Sequence, residues 1–235
     1  LRRLIGKGRI IVLERSGYVS FANCGLPYYV GNVIDEEDKL IVQTPEQLRQ
    51  RYDLDVRVCT EAVKINREEK TVEIRDLATG NITVEPYDKL LLSQGANPSK
   101  PPIPGTDLPG VHTLRFIEDV RILRAVGDAE DVHSVLVVGG GFIGIELAEN
   151  YLHRGKAVHL VEYADQIMPP IDYEMACILH QEVRNKGIKL HLSCGVNKIE
   201  EAGRQLEDVI RQNKGLSNKE VSLATGMNEM DVGRW

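Results

Sequence analysis

Two groups of residues in this chain have the types and spacing to do chemistry. The first is Gly139, Gly141 and Gly144, set as G-x-G-x-x-G, with Glu162 further on. Gly139 permits a tight turn, Gly141 lets a pyrophosphate approach the backbone, and Gly144 lets the next helix pack on the preceding strand. The N–H groups of that helix start suit phosphate, and Glu162, about 20 residues on, suits the hydroxyls of a ribose. The second group surrounds Cys24 in SFANCGLPYY, Ser20–Tyr29. A cysteine at the start of a short helix feels the positive end of its dipole, which favours the thiolate. Asn23 and Ser20 offer hydrogen bonds to a sulfur or a bound substrate. Read bare, however, a cysteine in an apolar run is more often a small core residue.

The elements around the first group follow a fixed order. Val135–Val138 is a short β-branched run that reads as a buried parallel strand. Phe142 to Arg154 reads as a helix with Ile143, Leu147, Ala148 and Leu152 on one side, and Gly155 stops it. Ala157–Val161 is a second strand ending on Glu162. Strand, glycine loop, helix, strand and acidic end make a dinucleotide site; the bland alternative is a glycine-rich turn in another α/β unit. Ile10–Leu13, closed by Glu14, reads as the second strand and acidic end of another such unit. Its first strand and glycine loop are expected before Leu1, so the sequence predicts a fragment; the alternative is an unrelated strand.

The composition narrows the function classes. The chain has 235 residues, 42% of them apolar, and a net charge of −6, which gives no general reason to expect nucleic acid or an anionic membrane as partner. No apolar run approaches a membrane span, and LRRLIGKGRI is too short in its apolar part for a signal peptide. Cys24, Cys59, Cys177 and Cys194 form neither a metal-ligand spacing nor a C-x-x-C, so reduced thiols and a cytoplasmic location are expected, with no metal. His153, His180 and His191 show no metal pattern and read as surface or structural residues.

SFANCGLPYYVG, followed by the G-x-G-x-x-G unit, resembles the pyridine nucleotide-disulfide oxidoreductase superfamily. Within it the stretch is most similar to the single-cysteine branch of coenzyme A-disulfide reductases, NADH oxidases and NADH peroxidases. The resemblance runs from Leu1 to about Glu200. It implies an α/β fold of two Rossmann-like units of the FAD/NAD(P)-binding, three-layer ββα type, both incomplete. Residues 1–108 are expected to be a partial FAD-binding domain with the redox cysteine, 109–200 the NAD(H)-binding domain, and 201–235 a helical tail outside the resemblance. The implied function is an FAD-dependent NAD(P)H oxidoreductase that reduces a disulfide such as that of coenzyme A. The alternatives are action on dioxygen, peroxide or polysulfide, or a non-catalytic nucleotide-binding fragment. The complete protein is implied to be a homodimer.

Residue by residue, the resemblance makes Cys24 the redox sulfur, flanked by Ser20 and Asn23, which also bind substrate. Arg3 falls where an arginine touches coenzyme A, while Arg51-Tyr52 stands where some members use a lysine. Glu14, with Arg15, falls at the FAD ribose, Val63 on the strand lining the adenine, and Ser93 and Gly95 in a turn near the flavin. Gly139, Gly141, Phe142, Ile143, Gly144, Glu146 and Glu162 form the second cofactor site, with Phe142 the aromatic that covers the flavin. Glu162 repels a 2′-phosphate and no arginine immediately follows it, so NADH is favoured, with NADPH left open.

The rest of the chain yields coarser expectations. Thr44 with Pro45 starts a helix. Val56–Ile65 reads as one alternating strand, Thr71–Ile74 and Asn81–Val84 as a hairpin, and Tyr87–Ser93 as a buried strand. Pro98–Gly105 is a stiff connection taken as the domain crossover. Met175–Asn185 reads as a helix and Ile188–Leu192 as a strand. Leu206–Asn213 is expected helical. Ser217–Thr225, Gly226 and Glu229–Trp235 have a helix–turn–helix rhythm, but Glu220, Glu229 and Asp231 oppose phosphate, so binding to DNA is not expected.

Overall fold

The computed structural model describes residues 2–201, 220–225 and 228–233. The first elements are α1 (Arg2–Ile5), β1 (Ile11–Leu13), β2 (Ser20–Phe21), α2 (Leu26–Val30), β3 (Ile41–Gln43), α3 (Pro45–Tyr52), β4 (Asp55–Arg57), β5 (Thr60–Asn66), β6 (Thr71–Asp76) and β7 (Ile82–Pro86). Then come α4 (Ile117–Asp128), β8 (Ser134–Val138), α5 (Phe142–His153), β9 (Ala157–Val161), α6 (Tyr173–Asn185), β10 (Lys189–His191), β11 (Gly195–Glu201), β12 (Glu220–Thr225) and β13 (Asn228–Gly233). Contacts gather these into two units, Leu1–Asn23 with Glu37–Ala96, and Cys24–Glu36 with Asn97–Trp235. The Cys24 segment therefore groups with the glycine loop rather than with the strands that flank it in sequence.

In the first unit β1 pairs with β4 in parallel, β2 with β3 antiparallel, and β5, β6 and β7 form an antiparallel meander. The start of α3 is fixed by its own sequence. Gln47 N–H donates to the Thr44 hydroxyl at 3.2 Å and Thr44 N–H to the Gln47 side chain at 2.9 Å, a reciprocal cap before Pro45. A ring of charges ties β4 to β7: Arg9 and Arg57 each pair with both Asp55 and Glu85, at 2.8 to 3.0 Å. Arg57 first, then Arg9, holds the Asp55 carboxyl below the usual carboxylate range.

Two expected strands in this unit come out differently. Val56–Ile65 is not one strand but β4 and β5, because the chain must leave a parallel partner, β1, for an antiparallel one, β6. Cys59, at φ +51°, makes that corner, and its N–H donates to Ser16 O at 2.9 Å. Tyr87–Ser93 is not a strand, and Leu91 and Leu92 are exposed. An apolar run becomes a strand only beside a partner ladder, and among the described residues the parallel sheet of this unit holds β1 and β4 alone.

In the second unit β8, β9 and β10 form a parallel sheet with β9 in the middle. Val137, Val158, Leu160, Ala148 and Tyr151 are buried in its core, and the Tyr151 hydroxyl donates to Leu123 O at 2.9 Å. The stiff connection lands on β11: Ile199 N–H donates to Pro104 O at 2.9 Å, and a Cβ on Gly105 would lie 2.0 Å from Ile199 O. His180 is buried, as a structural residue should be, and its Nε2 accepts the N–H of Ile167 at 3.1 Å.

The helix–turn–helix expectation is corrected. Residues 220–225 and 228–233 are strands β12 and β13, paired antiparallel with each other, and β13 pairs with β11. The apolar residues Val221 and Leu223, then Met230 and Val232, alternate with period two, and that period wins over the helical rhythm. The expected helix Leu206–Asn213 lies outside the described residues.

One polar pair sits inside the parallel sheet. His159, fully buried on β9, places Nδ1 3.1 Å from Nε2 of His191 on β10, with the rings stacked at 5.4 Å. His159 Nε2 has no hydrogen-bond partner. Burial first, then His191 and Lys189, pushes His159 down from 6.5 to about 3. The unfolded chain thus takes up a proton below 6.5 that the fold refuses until about 3, so stability falls as pH drops through that window. Replacing both His159 and His191 by Leu is expected to move the acid-unfolding midpoint, followed by far-ultraviolet circular dichroism, to lower pH. An unchanged or higher midpoint rejects this account.

Candidate functional site

The glycine loop joins β8 to α5. Gly139 takes φ +103°, and its N–H continues the ladder to Val161 O at 2.8 Å. A Cβ on Gly144 would stand 1.9 Å from Gly139 O, so only a glycine lets α5 lie this close to the strand end. Gly141 is the N-cap of α5, with no side chain capping the helix and no acidic residue in its first turn. A Cβ on Gly141 would meet nothing within 4 Å, so that face of the loop is open. Phe142 and Ile143 are exposed beside it, at 59% and 53%. Phe142 therefore does not pack beneath the sheet. Uncapped N–H groups, an open backbone face and a positive helix end form a cradle for phosphate.

Glu162, at the end of β9, is tied into this loop. Its Oε2 accepts the N–H of Gly140 at 2.6 Å, and its Oε1 accepts that of Ala164 at 2.8 Å. Each carboxylate oxygen keeps a second lone pair, so hydrogen bonds from ribose hydroxyls remain available. Gly140 is a constrained residue of the loop that the motif spacing passes over. Its added Cβ would lie 2.5 Å from Ile167 Cγ2, so the loop fits its bed only without a side chain there. The run of three glycines was the available signal. Glu146, in the first turns of α5, is half-buried, and burial with Glu149 nearby raises its carboxyl.

The end of β1 in the first unit repeats the ladder and turn hydrogen bonds at the end of β9. Glu14 N–H donates to Arg57 O at 2.9 Å, as Glu162 N–H does to His191 O at 2.9 Å. Thr60 N–H donates to Glu14 O at 2.9 Å, as Cys194 N–H does to Glu162 O at 3.0 Å. Glu14 Oε1 accepts the N–H of Ser16 at 2.7 Å, matching Ala164 on Glu162. Cys59 and Ser193 hold the same left-handed corner, at φ +51° and +53°, each donating its N–H to the residue two beyond the glutamate. Two distant stretches thus build one local design, and Glu14 fits the ribose end of a second dinucleotide as Glu162 fits the first.

The other candidate residues are placed as follows. Cys24 is exposed, in the 3-10 turn Asn23–Gly25 just before α2, and α2 packs on α4 and α5. Asn23 is exposed in the same turn and Ser20 half-buried on β2. Arg15 and Val63 are exposed, the latter on β5, and Ser93 and Gly95 lie on an exposed stretch outside any helix or strand. Arg3 is exposed on α1, whereas its neighbour Arg2 donates to Tyr52 O, Gly6 O and Gly8 O at 2.6 to 2.7 Å. The structure therefore gathers the glycine loop, Phe142, Ile143, Glu146 and Glu162 into one site, and carries Cys24 on the same unit. Among the described residues no cluster of three metal-ligating side chains occurs, and no helix is long and apolar enough to cross a membrane.

Comparison with known proteins bears on the same features. The chain is 32% identical over 193 residues to a coenzyme A disulfide reductase of Staphylococcus haemolyticus, covering 82% of this chain and 43% of the relative. It is 33% identical over 220 residues to an NADH oxidase of Methanocaldococcus jannaschii, covering 93% and 48%. The crystal structure of reduced Bacillus anthracis CoADR-RHD superposes with a TM-score of 0.82 at 42% identity, covering 99% of this chain and 39% of that one. The chain thus spans less than half the length of each. The family model of the pyridine nucleotide-disulphide oxidoreductases matches residues 1–232, and this chain belongs to that family.

Proposed function

We propose that this chain is part of an FAD-dependent oxidoreductase that takes two electrons from NADH and reduces a small disulfide, of the coenzyme A disulfide class, through Cys24. The observation that carries the reading is the exposed sulfur of Cys24 on the unit that also bears the open glycine loop. The coenzyme A disulfide reductase relative supports the substrate class, and the NADH oxidase relative supports the nucleotide.

The roles of the chain's own residues follow from their surroundings. The start of α5 binds the pyrophosphate of NADH, and Glu162 binds the adenosine ribose. Glu162 also disfavours a 2′-phosphate by charge, which selects NADH over NADPH. Glu14, with Arg15, Val63, Ser93 and Gly95, holds FAD in the same manner. Bound flavin supplies the two-electron link between nicotinamide and sulfur. The Cys24 thiolate attacks one sulfur of the disulfide, forming a mixed disulfide and expelling the other half as a thiolate. Two electrons then cleave the mixed disulfide, restore the Cys24 thiolate and release the second thiol. The sum is NADH, a proton and one disulfide giving NAD⁺ and two thiols. Ser20 and Asn23 orient the substrate sulfur, and Arg3 contributes charge toward it. The second reading, turnover of dioxygen, peroxide or polysulfide at the same sulfur, rests on the NADH oxidase relative. The complete protein acts as a homodimer in the cytoplasm.

Replacing Cys24 by Ser should lower NADH-dependent disulfide reduction by at least about a hundredfold while NADH binding stays intact. Full retained turnover would falsify the role of this sulfur. The two glycines separate binding from folding. Gly141→Ala places its methyl in open space, so NADH affinity should fall about tenfold at unchanged thermal stability. Gly144→Ala drives a methyl into a backbone oxygen and should destabilise the fold by about 1–3 kcal/mol. Titration fluorimetry and thermal melts read the two effects; equal affinity for Gly141→Ala rejects the cradle.

A further inference from the structure

Cys24 stands on a segment that cannot hold itself. The helix behind it, α2, has five residues, far below the length at which an isolated helix is stable in water. Backbone N–H groups of residues 31–34 meet the carbonyls of Pro27, Tyr28 and Tyr29, and two arginines of the second unit add bonds to Tyr29 O and Val30 O. Arg124, on α4, donates to Tyr29 O and Ile34 O, both at 3.1 Å, and also to the Asn32 side chain. Its guanidinium lies 4.2 Å over the Tyr29 ring, so stacking fixes the same group. Arg154, the C-cap of α5, donates to Val30 O at 3.0 Å and pairs with Asp128 at the end of α4. Both cations sit at the end of α2 where its dipole is negative. Between them Gly31 lies flush on α5: an added Cβ would be 1.8 Å from the Asn150 Oδ1, and Asn150 is itself buried.

We propose that Arg124 and Arg154 are positioning residues that latch the Cys24 segment onto α4 and α5. The proposal rests on Cys24 as the redox sulfur. The glycine loop opens at one end of α5, and Asn150 and Arg154 lie at the other. The twelve-residue helix, about 18 Å long, is then a fixed spacer between nucleotide and sulfur segment. Neither arginine touches substrate or cofactor; each acts through the backbone of residues 29–34. A lysine cannot replace Arg124, because one ammonium cannot meet three acceptors in a plane and stack as well.

The test uses the full chain with Arg124→Ala, Arg154→Ala, their combination, and Arg124→Lys. Amide hydrogen exchange of Leu26–Ile34 and iodoacetamide alkylation of Cys24 are read by mass spectrometry. Cys177, exposed on α6, is the internal control. The double variant should exchange at least about tenfold faster in Leu26–Ile34. Its Cys24 alkylation should change by about threefold or more while that of Cys177 stays within about 1.5-fold. NADH affinity, read by fluorescence titration, should hold within about twofold, and Arg124→Lys should restore less than half of the protection. Wild-type exchange and alkylation in the double variant overturn the proposal. So does equal acceleration across the whole unit, or of Cys177 with Cys24, since that is general loosening. If Cys24→Ser keeps full disulfide turnover, the redox reading falls, while the exchange result still decides the latch.

Discussion

The second unit depends on the approach of Gly144 to the carbonyl of Gly139. No side chain fits between them, and the contact seats α5 against the end of β8. Both ends of α5 then bear on candidate features of this unit. Its first turn faces the open loop, its second carries Ala148 into the core, and its last carries Asn150 and Arg154 against the Cys24 segment. Moving the helix outward by even the width of a methyl group shifts both ends at once. A close-packed interior transmits such a displacement rather than absorbing it.

The repeated design at Glu14 and Glu162 has a physical basis beyond its use. A parallel strand that ends on a glutamate exposes the N–H groups of the turn that follows. In both units the carboxylate folds back to accept the N–H two residues on, and a left-handed corner on the neighbouring strand closes the turn from the other side. That corner is filled by Cys59 and Ser193, neither a glycine. Both N–H groups at the corner are paired, which offsets the backbone strain of roughly 1–3 kcal/mol for such a conformation. A glutamate held in this way is oriented by the fold itself.

Much of the second unit was legible in the sequence because its signals are local. The β-branched strands, the glycine spacing and Gly155 mark β8, α5 and β9 within a residue or so. What escaped depends on partners distant in sequence. Leu90, Leu91 and Leu92 read as a buried strand, yet no ladder stands beside them among the described residues. Val56–Ile65 alternates as one strand should, and the break at Cys59 comes from a switch of sheets that no local pattern announces. The tail offered two periods at once, and pairing with β11 selected the strand period. In the site, the motif gave Gly139, Gly141, Gly144 and Glu162 but not Gly140, whose constraint is the bulk of Ile167 packed beneath it. Arg124 and Arg154 were invisible for the same reason: they lie about 90 to 120 residues from the carbonyls they bind.

In the function proposed above, Glu162 carries two jobs that cannot be separated by a single change. The carboxylate that opposes a 2′-phosphate is also the acceptor that holds Gly140 and hence the shape of the loop. Removing its charge by Gln leaves only one oxygen, with an amide nitrogen turned toward either Gly140 N–H or Ala164 N–H, two donors facing each other. Removing the side chain leaves both N–H groups to find water. If Glu162 selects the nucleotide as proposed, that selectivity is built into the scaffold of the loop. On that reading a relaxed preference for the 2′-position would require new donors that keep Gly140 in place, and loss of Glu162 by itself would weaken the binding of either nucleotide.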